Sequence, residues 1–263
     1  QGKQLAKQFK DTQFLVEQGI SWRYMAIDAK GRSGNKALTD LRVRKALMMA
    51  VNTQDILYVN TGGQKVSRYP QQMCWRLQIG CDFSKQAPGY NLTEAKRLMK
   101  EAGYARGFNL DITTFTNPAI KAGAEIVAAQ LKELGVDATV NSMVIGAYRK
   151  KQRQGKIQMM VGGYPAGAMP DISGTIKFIY APPKSRDYHG DEEMKKLARA
   201  TNGMMDPQKR MAAARKVFDM AAERAYFKVL APGPTNWVLR DYVSIKADAI
   251  SAFSVHPRGL RFK

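Results

Sequence analysis

The sequence predicts a three-layer α/β lobe in which a parallel sheet is covered by helices. Strands are predicted at 108–115, where apolar and polar residues alternate, and at 136–144 and 157–163. Helical patterns at 119–134 and 147–154 separate these strands, and the joins are short. Strand–helix–strand units of this kind are right-handed crossovers between parallel strands. We therefore expect these three strands to run parallel.

The segment before this unit is predicted to hold strands and then two helices. Residues 13–28 contain the apolar and aromatic residues that suit strands. Apolar residues then recur with helical spacing over 43–51, after Thr39 or Asp40, either of which can cap a helix start. Asn52 or Thr53 is expected to end this helix and to start a second one, and a long loop follows.

Two further helices have clear start signals. Asn91 and Glu94 form a capping-box pattern, and Gly103 stands where a helix end favours a left-handed residue. Asp206 is placed to cap a helix over 207–225. The residues after this helix, up to about 245, return to a composition typical of strands.

The composition describes a folded chain with a strong positive charge. Of 263 residues, 44% are hydrophobic, and 42 Lys and Arg against 22 Asp and Glu give a net charge of +20. No apolar run reaches the roughly 18 residues of a membrane span. A basic chain favours acidic partners, so a polyanion-binding domain is the alternative function. The basic residues are spread over every segment, however, and nucleic-acid binding is not expected.

No motif of an enzyme or a cofactor site is found. There is no nucleophile elbow, no phosphate-binding P-loop and no glycine-rich dinucleotide turn. His189 lies in a polar segment, where a capping or exposed role is the simpler interpretation. Because the chain has two histidines and two cysteines, no structural zinc set is expected. We therefore predict that the chain has no catalytic activity and binds neither a metal ion nor a cofactor.

The predicted sheet indicates where a ligand would bind. In open α/β sheets, ligands lie at the carboxyl ends of the strands. Thr116 and Asn117 follow the first strand, and Gly163 and Tyr164 end the third. The glycine would let the backbone approach a ligand closely, and the tyrosine offers a flat ring and a hydroxyl. Alternatively, the glycines only permit a tight turn and Tyr164 packs inward.

Two residues of the loop after the third strand, Met169 and Asp171, join this candidate site. The two cysteines, Cys74 and Cys81, stand seven residues apart in the long loop. From the residues alone, two free thiols and a small disulfide loop are equally well supported.

Several motifs resemble those of the extracytoplasmic solute-binding proteins of the dipeptide, oligopeptide and nickel class, which serve ABC importers. LTDLRVRKALMMAVNTQDIL (38–57) is similar to the family pattern D-x-R-V-R-x-A…A-[IV]-[DN]-R-x-x-[IL], with Thr53 in place of the usual arginine. YNLTEAKRLMKEAGY (90–104) and AEIVAAQLKELGVDATV (124–140) are similar to two further units. GGYPAGAMPD (162–171) stands where the family has G-W-x-x-D-x-x-D-P. The resemblance covers residues 13 to about 255.

The resemblance implies a periplasmic-binding-protein-like fold of the peptide-binding class, known as type II, and a substrate-binding component of an ABC importer. Such a protein captures a small solute, such as a peptide or an opine, between two lobes and delivers it to permease subunits. Residues 31–240 are expected to form the second lobe, with 1–30 and 241–263 as hinge segments. The first lobe is expected to be absent from this chain. The implied location is periplasmic or at the cell surface.

The resemblance also assigns roles to residues. Tyr164 takes the place of the family's stacking aromatic residue. Gly167 replaces an acid that anchors the ligand's amino group, and Val161 replaces an arginine of oligopeptide binders. These losses argue against a generic peptide and leave an anionic, sugar-like or opine-like ligand open. Asp171 is the nearest substitute acid; alternatively, it aligns with the acid of the family's Asp-Pro pair and only caps a turn. An extracytoplasmic location further implies a disulfide between Cys74 and Cys81. In the family the helix after Asp40 is structural, with Arg42 and Arg44 on its polar side.

Overall fold

The structure is a computed structural model of the chain. It describes residues 8–9, 11–17, 21–61, 63, 70, 72–76, 78–165, 171–233, 235–245 and 259–262. Nine strands and seven helices of eight residues or more are assigned in these ranges. The strands are β1 (Thr12–Glu17), β2 (Ser21–Ile27), β3 (Asn109–Phe115), β4 (Asp137–Met143), β5 (Met159–Pro165), β6 (Phe227–Pro232), β7 (Thr235–Arg240), β8 (Val243–Ile245) and β9 (Leu260–Phe262). The helices are α1 (Leu41–Met49), α2 (Thr53–Thr61), α3 (Leu92–Glu101), α4 (Pro118–Leu131), α5 (Ile145–Arg153), α6 (Glu192–Gly203) and α7 (Pro207–Glu223).

The central sheet has five strands in the order β4–β3–β5–β2–β6. Strand β3 pairs in parallel with both β4 and β5, which confirms the predicted pairing of these three strands. The sheet as a whole is mixed and not parallel, because β2 runs antiparallel to its neighbours β5 and β6. Residues 21–27, expected in a hinge segment, therefore lie inside the sheet. Strand composition predicts extended backbone but not the partner.

Two smaller antiparallel pairs lie outside this sheet in the described ranges. Strand β1 pairs with β7 along its full length, so that Thr12 faces Arg240 and Glu17 faces Thr235. Strands β8 and β9 form the other pair. The β1–β7 pair joins segments from opposite ends of the chain, which places the two strand-like arms predicted from composition beside each other.

The helices begin where the sequence signals predict. Asp40 caps α1 by accepting a hydrogen bond from Arg42 N, and Asn91 caps α3 by accepting one from Glu94 N. Asp206 caps α7 in the same way. Gly135 adopts the left-handed conformation, with φ 73°, in the tight connection between α4 and β4. A Cβ atom there would lie 2.9 Å from a backbone oxygen, so a side chain would not fit without a shift.

One hydrophobic core lies on each face of the sheet. The first core contains Met159 and Val161 of β5 together with apolar residues of α1 to α4. The second core contains Met160 of β5, Tyr148 of α5 and apolar residues of α6 and α7. The alternation of side chains along β5 thus feeds both cores, and the predicted three layers are present. No helix among the described residues is long and apolar enough to span a membrane.

The two arginines near the start of α1 have different surroundings. Arg42 is exposed and paired with Asp40. Arg44 was expected on the polar side, but it is only 6% exposed. Its guanidinium donates to the backbone oxygens of Leu38, Thr39 and Arg224 at 2.9–3.2 Å. The expectation was wrong for Arg44 because helical spacing places a residue on a face but does not show that loop carbonyls cover it.

Candidate functional site

The strands β3, β4, β5 and β6 all end at one edge of the sheet, which we call the carboxyl edge. The antiparallel strand β2 begins there, so that Ser21 lies beside Pro165 and exchanges hydrogen bonds with Gly233. Thr116 N donates to Met143 O at 3.1 Å and joins the ends of β3 and β4. This edge is where an open α/β sheet binds its ligands.

Tyr164 lies at this edge, directly opposite Trp22 on the neighbouring strand β2. The two ring centroids are 5.2 Å apart and the planes are tilted by 31°. Trp22 is fully buried, whereas Tyr164 is half-buried on the rim of the second core. Burial raises the pKa of the Tyr164 hydroxyl, and a hydrogen bond with Thr175 partly offsets that rise. The tyrosine stays neutral at ordinary pH and presents a supported ring.

A cavity of about 270 Å³ extends from this ring between the sheet, α5 and residues 176–189. Aromatic side chains supply much of its wall, namely Tyr24, Phe115, Tyr148, Tyr164, Phe178, Tyr188 and Phe227. Phe115 and Tyr148 pack edge to face with centroids 4.4 Å apart. Arg149 and Arg186 also line the cavity. Such a wall suits a flat or apolar group with a few polar contacts.

The far end of the cavity holds buried polar groups. Asp28 and His189 line it there, and within the described residues Oδ1 of Asp28 and Nε2 of His189 have no hydrogen-bond partner. Burial lowers the pKa of His189 to about 4, although Asp187 beside it acts in the opposite direction. Asp187 is itself held by Lys30 and Lys195. Among the described side chains, no three metal-ligating groups come together.

Gly163 lies next to Tyr164 but faces the first core. A Cβ atom at Gly163 would lie 2.6 Å from Nη1 of Arg23, its partner on β2. The glycine therefore makes room for the Arg23 guanidinium. Sequence reasoning missed both Trp22 and Arg23, although the alternation of residues 21–27 could have placed them on opposite faces of a strand.

The remaining predicted site residues have different surroundings. Thr116 and Asn117 are exposed at the carboxyl edge, and the Asn117 side chain caps α4 by accepting from Ile120 N at 3.1 Å. Asp171 is held by Arg210 in two hydrogen bonds of 2.7 and 2.6 Å, which hold the pKa of its carboxyl group at about 2. It also accepts from Ser173 N, so the geometry favours a turn-closing role. Met169 lies outside the described residues.

The cysteines are joined in the structure. Cys74 and Cys81 are linked by a disulfide with their Cα atoms 5.9 Å apart. Both are buried in the second core, beside Trp75 and Phe83. The bond closes a small ring within the long loop, on the face of the sheet that carries the cavity.

The profile of the family described as "Bacterial extracellular solute-binding proteins, family 5 Middle" matches residues 1–186. The chain belongs to this family. The match confirms the resemblance found in the sequence motifs. The family 5 chain is 29% identical over 166 residues to the dipeptide-binding protein of Escherichia coli (strain K12), a stretch that covers 60% of this chain and 29% of that protein. This family is one of solute-binding proteins and not of enzymes.

Solved structures share the fold. The periplasmic binding protein DppA from Helicobacter pylori, in complex with the peptide STSA, aligns with a TM-score of 0.80 at 19% identity. The substrate-binding protein CtaP from Listeria monocytogenes aligns with a TM-score of 0.84 at 15% identity. The two alignments cover 99% and 100% of the chain described here. They cover only 50% of the H. pylori protein and 55% of the L. monocytogenes protein. The chain therefore has the periplasmic-binding-protein fold over about half the length of these proteins.

Proposed function

We propose that the chain is one ligand-binding lobe of the substrate-binding component of an ABC importer, which captures a peptide, an opine or a similar small solute. The observation that carries the proposal is Tyr164, which stands at the carboxyl edge on top of Trp22 and at the entrance of an aromatic cavity. A supported ring at that edge stacks on a ligand without having to be ordered on binding. Family membership supplies the transport role.

Ligand contacts in this proposal come from the carboxyl edge. Tyr164 supplies the stacking surface and Gly163 a stretch of backbone without a side chain. The exposed Thr116 and Asn117 supply polar contacts. Met169, predicted from the sequence, remains part of the proposed site. Asp171 does not, because Arg210 and Ser173 already engage its carboxylate.

The proposal extends to partners and location. Permease subunits would receive the solute, and a second lobe would close over the carboxyl edge, with residues 31–240 as the lobe described here. The segments 1–20 and 241–263 would connect the two lobes, whereas β2 (Ser21–Ile27) belongs to the central sheet of this lobe. The E. coli relative is a dipeptide-binding protein and the H. pylori structure holds a peptide, which supports a peptide as the first ligand to test. An extracytoplasmic location agrees with the family description.

The test is a titration of the ¹⁵N-labelled chain with dialanine and with mannopinic acid, followed by NMR. A single lobe binds weakly, and NMR detects weak binding. We expect the backbone resonances of Thr116, Asn117 and Tyr164 to shift, while those of Asn109 and Asp137, which begin β3 and β4 at the opposite edge and do not line the cavity, stay in place. Heparin is the comparison for the alternative function. Strong heparin binding that collapses between low and moderate salt, with no shift by either small solute, would replace the proposal by polyanion binding.

A further inference from the structure

Arg23 occupies an unusual position in the central strand β2. Its neighbours across the sheet are Gly163 on β5 and Ala231 on β6, which are both small. Its side chain lies on the face opposite to Trp22 and Tyr24, that is, toward the first core. If Gly163 had a Cβ atom, that atom would lie only 2.6 Å from Nη1 of Arg23. A Cβ atom at Gly233 would lie 3.3 Å from the same nitrogen. Two glycines at the carboxyl edge thus leave space for one guanidinium.

The guanidinium has no partner in the part of the chain that the structure describes. Its Nε is buried and makes no hydrogen bond, and no described carboxylate forms an ion pair with it. The segments of the sequence that adjoin these strands without being described, 18–20, 166–170 and 234, contain no Asp or Glu. Burial lowers the pKa of Arg23, and no neighbouring charge opposes that shift.

Arg44 shows what a satisfied buried arginine looks like in the same molecule. Its guanidinium donates to three backbone oxygens and lies over the ring of Tyr226. A buried charge without such partners costs free energy that a bound anion recovers. Within the described residues, Arg44 thus has its donors engaged by the fold, whereas the buried Nε of the partly buried Arg23 has no hydrogen-bond partner.

The surroundings of Arg23 favour an anion. The first turn of α4 lies on the same face of the sheet as the Arg23 guanidinium. A Cβ atom added at Gly163 would point at both, since it would lie 3.2 Å from Cδ1 of Ile120. That first turn contains no acidic residue, so the positive end of the helix dipole is not neutralised there. A planar guanidinium binds a planar carboxylate through two parallel hydrogen bonds, one from Nε and one from Nη. Both kinds of donor are present on Arg23.

We infer that Arg23 binds a carboxylate of the captured solute at the carboxyl edge. The inference rests on the proposed function and deepens it, since it selects solutes with a free carboxylate, such as a peptide C-terminus or an acidic opine. The ligand would contact the sheet from both faces at this edge. The part of the ligand that stacks on a ring would contact Tyr164, and its carboxylate would contact Arg23. These residues are close because Arg23 pairs with Gly163, the residue before Tyr164 on β5.

The test observes the Nε–H resonance of Arg23 by NMR while acetate is added to the chain. Acetamide is the matched neutral probe, and sodium chloride at equal ionic strength is the reference. We expect acetate to shift the Arg23 resonance by a saturating curve and acetamide and chloride to leave it in place. The Nε–H resonance of Arg44, whose donors are already used, should not move with any of the three. Equal responses to acetate and chloride, or no response to acetate, would overturn the inference.

A second arm uses dialanine and its C-terminal amide on the wild-type chain and on Arg23→Gln. We expect the wild type to bind dialanine at least tenfold more tightly than the amide, and Arg23→Gln to bind the two alike. Arg42→Gln, an exposed arginine on α1, is the control and should keep the preference. If both peptides shift the resonances of Thr116 and Tyr164 equally in the wild type, the capture function stands and the role of Arg23 falls. If acetate shifts Arg23 but neither peptide binds, the anion site stands and peptide capture falls.

Discussion

Trp22 and Tyr164 form a cross-strand pair whose ring centroids lie 5.2 Å apart at the carboxyl edge. Trp22 is buried and Tyr164 is half-buried, so the tyrosine has one ring face committed to the tryptophan. The two interpretations of Tyr164, a ligand contact and an inward-packed residue, are therefore compatible. The inner part of the ring packs on the second core while its rim borders the cavity.

Replacing Tyr164 by alanine is expected to weaken the binding of a stacked solute several-fold. It should lower the free energy of unfolding by about 1 kcal/mol, since an aromatic pair is lost. Tyr164→Phe keeps the ring and should keep most of the binding. Calorimetric titration and urea unfolding measure the two effects. A variant that binds as wild type but unfolds far more easily would make Tyr164 a core residue alone.

Leu131 provides the opposite case. It is fully buried in the first core, near the end of α4 and away from the carboxyl edge. Leu131→Ala removes buried methyl groups and leaves a cavity, which should lower the free energy of unfolding by about 2–5 kcal/mol. Ligand binding at temperatures where the variant is folded should remain unchanged. A loss of affinity with normal stability would count against this separation of core and site.

The Cys74–Cys81 bond is expected to stabilise the folded chain. Closing a loop this short contributes about 2–3 kcal/mol by restricting the unfolded chain. A Cys74→Ala, Cys81→Ala double variant should lose about that much in urea unfolding. Thiol titration of the folded, non-reduced wild type should find neither thiol reactive. Two titratable thiols under those conditions would show that the chain folds without the bond.

Arg44 is predicted to be important for stability and Arg42 is not. Arg44→Ala would leave the backbone oxygens of Leu38, Thr39 and Arg224 without their donor. Since an unsatisfied buried polar group costs about 1–3 kcal/mol, we expect a loss of at least about 3 kcal/mol in the free energy of unfolding. Arg42→Ala, on the exposed side of the same helix, should change it little. Similar losses in both variants would contradict the assignment.

His189 should make stability fall in mildly acidic solution. Its pKa is about 4 in the folded chain, where burial disfavours the charged form, whereas the ordinary pKa of a histidine side chain is 6.5. The unfolded chain therefore binds the proton first as the pH falls, and stability is lost between about pH 6.5 and pH 4. The loss should approach about 3 kcal/mol below that window.

Urea unfolding of the wild type and of His189→Gln at several pH values tests this prediction. The variant should lose less stability across the window, because it has no proton to bind there. The groups that face His189, namely Asp187, Asp191, Lys30 and Lys195, remain in the variant and serve as an internal background. The Asp187 pKa is also lowered, and that carboxylate contributes only below the window. Identical slopes in both proteins would show that His189 does not titrate there.

The parts of the fold that were predicted correctly rest on local signals. The strands β3, β4 and β5 alternate with helices over short joins, and the caps Asp40, Asn91 and Asp206 act within a few residues of themselves. The position of β2 depends instead on partners far along the chain. Period and composition do not encode such a pairing, so a mixed sheet was predicted as parallel.

The candidate site was predictable to the extent that it follows from the strand ends. Tyr164 and Gly163 stand where the end of β5 was expected. The support of Tyr164 by Trp22 and the space that Gly163 leaves for Arg23 were not predictable, because both depend on the insertion of β2 beside β5. Asp171 was chosen by motif position, and its pairing with Arg210 is a tertiary contact that no short pattern shows.

Because β2 pairs with β6, the central sheet of this lobe can be completed only late in the synthesis of the chain. Strand β2 comes from residues 21–27, whereas its outer partner comes from 227–232. A nascent chain that has reached β5 can pair one side of β2, but the other side stays an open, hydrogen-bonding edge until β6 has left the ribosome. Such an edge is prone to associate with other chains. A late stretch of the polypeptide thus protects an early one from aggregation, and folding of the whole sheet has to wait for it.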